Sequence, residues 1–252
     1  MIYFSSMSAL SISVFFPAYN EEENLEHTVA GANAVLRKLR ADYEIIIVND
    51  GSEDRTGSIA HRLARENKQI RVIDHRHNQG YGGALITGFY AAKKKFIAMT
   101  DSDGQFDFSE INLFLPYLSS HDMVIGYRTE RAEGWKRELL AAILRVWDFV
   151  LFGIWFKDID CAFKVIRRKS LNRFPKLTTH TAMISTELLA KAKRAGLTIK
   201  EVPVTHLPDL GEKNRRAGGG HPKIILRALM GTIELWLNLR RRQMKNGSSR
   251  SL

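Results

Sequence analysis

Asp101-Ser102-Asp103 places two carboxylates two residues apart, with the amide of Gln105 two residues further on. Directly after a strand, such a set can offer several oxygens to a hard divalent cation, and a cation there can neutralise a diphosphate leaving group. Taken alone, a D-x-D is also an ordinary turn, because loops are rich in Asp. Asp50-Gly51-Ser52 is a second candidate. Asp50 can accept a hydrogen bond from a base N–H or a ribose hydroxyl, and Gly51 lets a ligand approach the backbone closely; the same tripeptide also reads as an Asx turn. Tyr19 can stack on a base or simply be a half-buried aromatic. Gly80-Tyr81-Gly82-Gly83 invites comparison with phosphate-binding loops. It does not fit G-x-x-x-x-G-K-[ST], and no G-x-G-x-x-G follows the first strand, so both the P-loop and the Rossmann dinucleotide readings are rejected. A tight turn into a helix beside the site is the expected role.

The elements that must hold these residues can be read from apolar runs. Strands are expected at Ser11–Phe16, Glu44–Val48, Ile70–Asp74 and Phe96–Thr100. Helices are expected from Asn20 to Leu39, Arg55 to Glu66 and Gly80 to Lys94. Asn20 with Glu21–Glu23 looks like a helix start, with acids at the positive end of the dipole. This alternation implies an α/β fold with a mostly parallel central sheet and helices on both faces. The polar clusters PAYNEE, NDGSED and DSDGQ all fall just after strands, where open α/β sheets bind ligands. Beyond residue 120 the pattern changes. Strands are expected at His121–Gly126 and Phe163–Arg167, a helix or helix pair at Leu139–Phe156, and a helix at Ser185–Arg194. Thr198–Val204 should be an edge strand because of Pro203. Pro222 should open a last amphipathic helix to about Met244.

A chain of 252 residues with 44% hydrophobic residues is long enough for one large domain. The single cysteine, Cys161, rules out an internal disulfide framework. The uncharged opening, MIYFSSMSALSISVFF, lacks a basic leader and runs straight into the first strand, so no signal peptide is expected. Leu139–Phe156 is interrupted by Arg145 and Asp148, so no transmembrane helix is expected there. The net charge of +11 is concentrated: from Lys213 onward ten Lys and Arg face one acid, Glu234. That end points to an anionic partner. The ordered acidic clusters would repel nucleic acid, so a basic nucleic-acid-binding protein is a distant alternative. The expected division is a catalytic domain over residues 8–212 and a basic C-terminal segment over 213–252.

Four segments together resemble the family 2 glycosyltransferases. They are Ser13–Glu22 (SVFFPAYNEE), Val48–Asp54 (VNDGSED, with Asn49 where the family usually has Asp), Asn78–Ala84 (NQGYGGA) and Thr100–Gln105 (TDSDGQ). They occur in the family's order, within a resemblance covering roughly residues 11–206. Asp158–Lys164 (DIDCAFK) resembles the D-x-x-x-G-F-R segment of the polyprenyl-phosphate branch, which includes dolichol-phosphate mannose synthases; Ala162 replaces Gly and Lys164 replaces Arg. Glu201–Val204 resembles the strand that follows.

The resemblance implies a single-domain GT-A fold with a C-terminal amphipathic helix, and an inverting, metal-dependent hexosyl transfer from a UDP- or GDP-sugar to a polyprenyl or dolichyl phosphate. It implies that Pro17, Tyr19, Glu21, Asp50, Ser52 and Asp101 bind the nucleotide, and that Asp101, Asp103 and Gln105 hold Mg²⁺ or Mn²⁺. Arg128 would contact a phosphate, as would Arg215 or Arg216. A lipid phosphate attacks without a general base; a soluble or polysaccharide hydroxyl acceptor, the alternative, needs one, and Asp158 is the candidate. The implied setting is peripheral, on the cytoplasmic face of an anionic membrane, with an integral membrane protein as a further partner.

Overall fold

The computed structural model describes residues 10–129, 135–208, 230–237, 239 and 240, without the side chains of 135–142 and 144. Strands β1 (Ser11–Ala18), β2 (Asp42–Asn49), β3 (Ile70–Asp74) and β4 (Phe96–Met99) alternate with helices α1 (Leu25–Lys38), α2 (Thr56–Glu66) and α3 (Tyr81–Ala91). After them come α4 (Ile111–Phe114), β5 (Met123–Arg128), α5 (Trp135–Phe152), β6 (Lys164–Arg167), α6 (Ile184–Arg194) and β7 (Ile199–Val204).

The strands form one sheet in the order β3-β2-β1-β4-β6-β5-β7. The β1–β2, β2–β3, β1–β4 and β5–β7 pairs are parallel. Strand β6 is antiparallel to both β4 and β5. From β1 the chain steps outward to β2 and β3, then returns across the sheet to β4. Right-handed crossovers therefore put α1 and α2 on one face and α3 on the other. The sheet is buried on both sides, which is why Ile12, Val14, Phe15 and Phe16 are fully enclosed on either face, and Ser13 between them is buried as well. Phe15 meets Phe89 of α3 edge-on at 4.9 Å. A Cβ on Gly88 would fall 2.2 Å from the Phe15 ring, so glycine is what lets α3 settle on β1.

The return across the sheet makes the β1–β4 border a topological switch point, where the carboxyl ends of neighbouring strands part and leave a crevice. The expected helix start at Asn20 is delayed to Leu25. Asn20 adopts a left-handed φ of 57°, and the N–H groups of Glu21 and Glu22 donate to Thr56 Oγ1 (2.7 Å) and Asp54 Oδ2 (3.3 Å). Residues 20–24 thus knit the β1 loop to the β2 loop instead of extending a helix. Helix α5 begins at Trp135 and stops at Phe152, because Gly153 turns left-handed at φ 68° and its N–H donates to Phe149 O. Phe156 therefore lies outside the helix expected to reach it. Among the described residues β7 pairs only with β5, and it carries Pro203 on the sheet edge, as its sequence required.

Candidate active site

The carboxyl ends of β1, β2 and β4 surround a cleft of about 300 Å³. Pro17, Tyr19, Glu21, Asp50, Asp101 and Asp103 line it together with Asn78 and Tyr81. Six of the residues predicted to bind nucleotide or metal thus converge, although they come from three separate stretches of sequence. Ser52 does not line this cleft. Its hydroxyl accepts from Asn20 N at 3.1 Å, and its N–H donates to Asn49 Oδ1 at 3.2 Å. Asn49 donates its amide to Asp74 Oδ1 at 2.8 Å, a bond that an Asp in its place could not donate.

Asp50 N–H donates to Ala18 O, binding the end of β2 to the end of β1. The Asp50 side chain is buried, and its Oδ1 accepts from Gln79 N (2.9 Å) and lies 2.6 Å from His75 Nδ1. Gly51 has φ 69°, and a Cβ there would lie 2.6 Å from the carbonyl carbon of His77. Only glycine fits that approach. His75, which holds Asp50 from behind the cleft, was missed by the sequence reading, since nothing in its local pattern marks it.

At the end of β4, Ser102 is buried and donates from Oγ to Pro17 O at 2.7 Å. Anchoring the middle residue of D-S-D inward leaves the two flanking aspartates on the cleft. Tyr81 donates its hydroxyl to Asp101 Oδ1 at 3.0 Å. Burial raises the Asp101 carboxyl above its ordinary value and Glu21 adds to the rise, opposed by the Tyr81 hydrogen bond and the charges of Lys164 and Arg128. Burial and Asp101 likewise hold the Tyr81 hydroxyl well above its usual range, so it stays a donor. Asp103 Oδ1 accepts from Gln105 N at 2.9 Å across Gly104, whose φ is 77°. Gln105 Nε2 donates to Leu207 O (3.3 Å) and Leu207 N to Gln105 O (2.8 Å), joining this loop to the exit of β7.

The donor set fits a hard cation: two cleft carboxylates and a neighbouring amide, all oxygen chemistry. Among the described residues no group of three or more His, Cys, Asp or Glu is placed to hold a metal ion by itself. Asp101 and Asp103 would supply part of a shell, to be completed by ligand phosphates and water.

Arg128 ends β5 and meets Asp158 in a bidentate pair. Burial by itself would lower the Arg128 pKa, but the hydrogen bonds and charge of Asp158 outweigh it and raise the guanidinium further. Lys164, fully buried in β6 opposite Met99, donates to Cys161 O; burial pulls its pKa down against the charges around it, Asp160, Asp158 and Asp101 among them. The sequence showed Lys164 only as a strand residue and a motif position. Arg215 and Arg216 lie outside the described residues.

The glycine-rich loop packs against the segment before α6. Gly82 N–H donates to His180 O at 3.0 Å, and a Cβ on Gly82 would lie 2.1 Å from Thr179 O. This N–H is therefore used within the protein, in keeping with a tight turn beside the site. Segment 178–179 is held in turn by buried Glu187, which accepts from Thr178 N and Thr179 N and pairs with Lys191 at 2.6 Å.

A strand-end cleft at the switch point of an α/β sheet, lined by clustered carboxylates and two tyrosine rings, stands where open α/β sheets bind ligands. Residues 13–183 match the family Glycosyl transferase family 2, and the chain belongs to it. The dolichyl-phosphate beta-glucosyltransferase of Dictyostelium discoideum is 31% identical over 216 residues, 77% of this chain and 65% of that protein. The enzyme of the same name from Homo sapiens is 28% identical, covering 80% and 69%. The chain spans about two thirds of the length of these relatives. Among solved structures, glucosyl-3-phosphoglycerate synthase of Mycobacterium tuberculosis, crystallised with Mn²⁺, UDP-glucose and phosphoglyceric acid, superposes with a TM-score of 0.67 at 20% identity, covering 90% of this chain and 79% of that one. Mannosyl-3-phosphoglycerate synthase of Rubrobacter xylanophilus superposes with a TM-score of 0.67 at 18% identity, covering 94% and 75%. These likenesses establish the shared GT-A fold.

Proposed function

We propose that the chain transfers a hexose, with inversion, from a UDP- or GDP-sugar to a polyprenyl or dolichyl phosphate at the cytoplasmic face of a membrane. The observation that carries the reading is the convergence of Asp50, Asp101, Asp103 and Tyr19 on one cleft at the β1–β4 switch point. Asp50 and Tyr19 hold the nucleoside, while Asp101, Asp103 and Gln105 hold Mg²⁺ or Mn²⁺. The ion, when bound, offsets the charge of the departing nucleoside diphosphate. An acceptor phosphate oxygen attacks the anomeric carbon, the bond from that carbon to the donor's β-phosphate oxygen breaks, and the electron pair leaves with the nucleoside diphosphate. The protein's part is placement and charge stabilisation. Arg128 offers Nη1 to a phosphate, with Arg215 or Arg216 as a further contact.

A hydroxyl acceptor would need a base. Both oxygens of Asp158 already accept from Arg128, which favours an acceptor that arrives as an anion.

The membrane side of the proposal is supported by exposed apolar surface. Helix α5 exposes Ile143, Val146, Phe149 and Val150, and Trp155 beyond it packs edge-on against Phe149. Residues 230–237 are helical; Leu235 is buried, while Met230, Ile233 and Leu237 are exposed. Trp147 Nε1 donates to Thr232 Oγ1 at 2.8 Å and joins the two helices. Exposed apolar faces, followed in the sequence by the basic run that begins at Arg240, suit an anionic interface and an integral membrane partner. Among the described residues no helix is long and apolar enough to cross a membrane.

A thermal-shift screen of UDP- and GDP-sugars with and without Mn²⁺, followed by product analysis with polyprenyl phosphate and with free polyprenol, tests the reading. The expected result is stabilisation by one nucleotide sugar with Mn²⁺ and transfer only to the phosphate. Transfer only to a hydroxyl, or no stabilisation by any nucleotide sugar, contradicts it.

A further inference from the structure

His75 directly follows β3 and is buried, with 6% of its side chain exposed. Its backbone N–H donates to Asn49 O at 2.9 Å, which roots it beside the end of β2. Its ring is held at both nitrogens: Nδ1 lies 2.6 Å from Asp50 Oδ1 and Nε2 lies 2.9 Å from Thr87 Oγ1 in α3. Since a carboxylate oxygen accepts, Nδ1 carries the proton in this contact. Gln79 N donates to the same Asp50 oxygen at 2.9 Å. Two donors converge on Oδ1, and among the described residues no hydrogen bond is made to Oδ2. Asp50 lines the cleft, so the remaining acceptor is available there.

We propose that His75 is a positioning residue for nucleotide binding, fixing the Asp50 carboxyl group so that Oδ2 meets the nucleoside. The inference rests on the nucleotide reading of the cleft. An aspartate side chain turns about two bonds, and a ligand that must order it loses affinity. Thr87, His75 and Gln79 remove that freedom before the ligand arrives, as outer-shell partners do for the groups they orient.

The test is calorimetry of uridine and guanosine diphosphate binding to the full chain in Mn²⁺, with melting curves alongside. The variants are Asp50→Ala, His75→Leu, His75→Asn, Thr87→Val and the Asp50→Ala/His75→Leu double. His75→Leu is expected to weaken the preferred diphosphate about 10-fold, and His75→Asn, whose Nδ2 can take the place of Nδ1, to recover to within about 3-fold of wild type. The double variant should bind no more weakly than Asp50→Ala, because both changes disable one device. Wild-type affinity in His75→Leu beside a weakened Asp50→Ala overturns the inference, as do losses that multiply in the double. Wild-type affinity in Asp50→Ala overturns the nucleotide role of Asp50 itself, and the inference falls with it. Should His75→Leu not fold, Thr87→Val decides: a loss of about 3-fold supports the inference, since it frees the ring and leaves Asp50 in place, and unchanged affinity overturns it.

Discussion

Arg128 and Asp158 are joined by two near-parallel hydrogen bonds, Nε to Oδ2 at 2.6 Å and Nη2 to Oδ1 at 3.0 Å, and Arg128 N–H donates to the same Oδ2 at 3.3 Å. Bidentate geometry of this kind fixes both partners, so the guanidinium is held in one orientation. Asp158 is 3% exposed at its side chain and Arg128 is 17% exposed, so neither is held in place by solvent.

Asp158→Asn separates the two acceptor classes. If Asp158 only aims Arg128, KM for the phosphate acceptor rises about 10-fold while kcat changes little, because phosphate contacts are charge-assisted hydrogen bonds. A fall in kcat of about 10³-fold, with the acidic limb of the pH profile removed, would mark a general base and a hydroxyl acceptor instead. Steady-state kinetics across pH give the answer.

Asp103→Ala is expected to abolish turnover with the circular dichroism spectrum unchanged. Loss of a charged ligand costs several kcal/mol of transition-state stabilisation, roughly 3 kcal/mol or more. EDTA should reproduce the effect on wild type. Full activity of the variant in chelator would remove Asp103 from the metal site.

Gly82→Ala tests the packing of α3 against the segment before α6. A Cβ 2.1 Å from Thr179 O cannot be accommodated without moving backbone. The expected loss is about 1–3 kcal/mol in urea unfolding, accompanied by weaker donor binding because Tyr81, at the displaced helix start, donates to Asp101 of the cleft. Wild-type stability would mean that the two loops separate easily.

Asp148 gives a pH dependence of defined sign. It is buried in α5, its Oδ1 has no hydrogen-bond partner among the described residues, and burial, with Asp160 adding, pushes its carboxyl from 3.8 up to about 7. Between those values the folded chain holds a proton that the unfolded chain has released. Stability from this group is therefore present below pH 3.8 and is lost as pH rises to 7. Asp148→Asn cannot ionise, so it should match wild type near pH 4 and exceed it by roughly 2–4 kcal/mol at pH 8. Urea midpoints at the two pH values check this; an equal difference at both would contradict it.

Membrane docking is checked by flotation of the full chain with liposomes. Co-flotation with anionic vesicles, reversed by high salt, is expected. Arg240→Glu/Arg241→Glu/Arg242→Glu should release it, at about 1 kcal/mol for each basic charge near the surface. Equal binding to neutral and anionic vesicles, or none to either, contradicts a basic anchor.

Much of the frame was legible before any coordinates. Strand β3 runs from Ile70 to Asp74 as its apolar run implied, and β1, β2 and β4 differ from expectation only at their ends. Buried parallel strands announce themselves because both faces need apolar side chains, and the turn residues Asp, Asn and Gly mark where each strand stops. That three polar clusters would share one site followed from their common place after strands. What those local signals leave open is the partner of each polar atom. Ser52 faces Asn20, Asp158 faces Arg128, His75 faces Asp50 and Gly82 faces His180. These pairs lie far apart in the chain and meet only once the sheet order is set. Strand β6 enters antiparallel between β4 and β5 and carries Lys164 beneath the aspartates, a placement that no run of apolar residues encodes. Periodicity is a local property of the chain. A hydrogen bond across the fold depends on where other segments come to rest, so the identity of the site could be read early, and the choice of which oxygen meets which donor belonged to the tertiary structure.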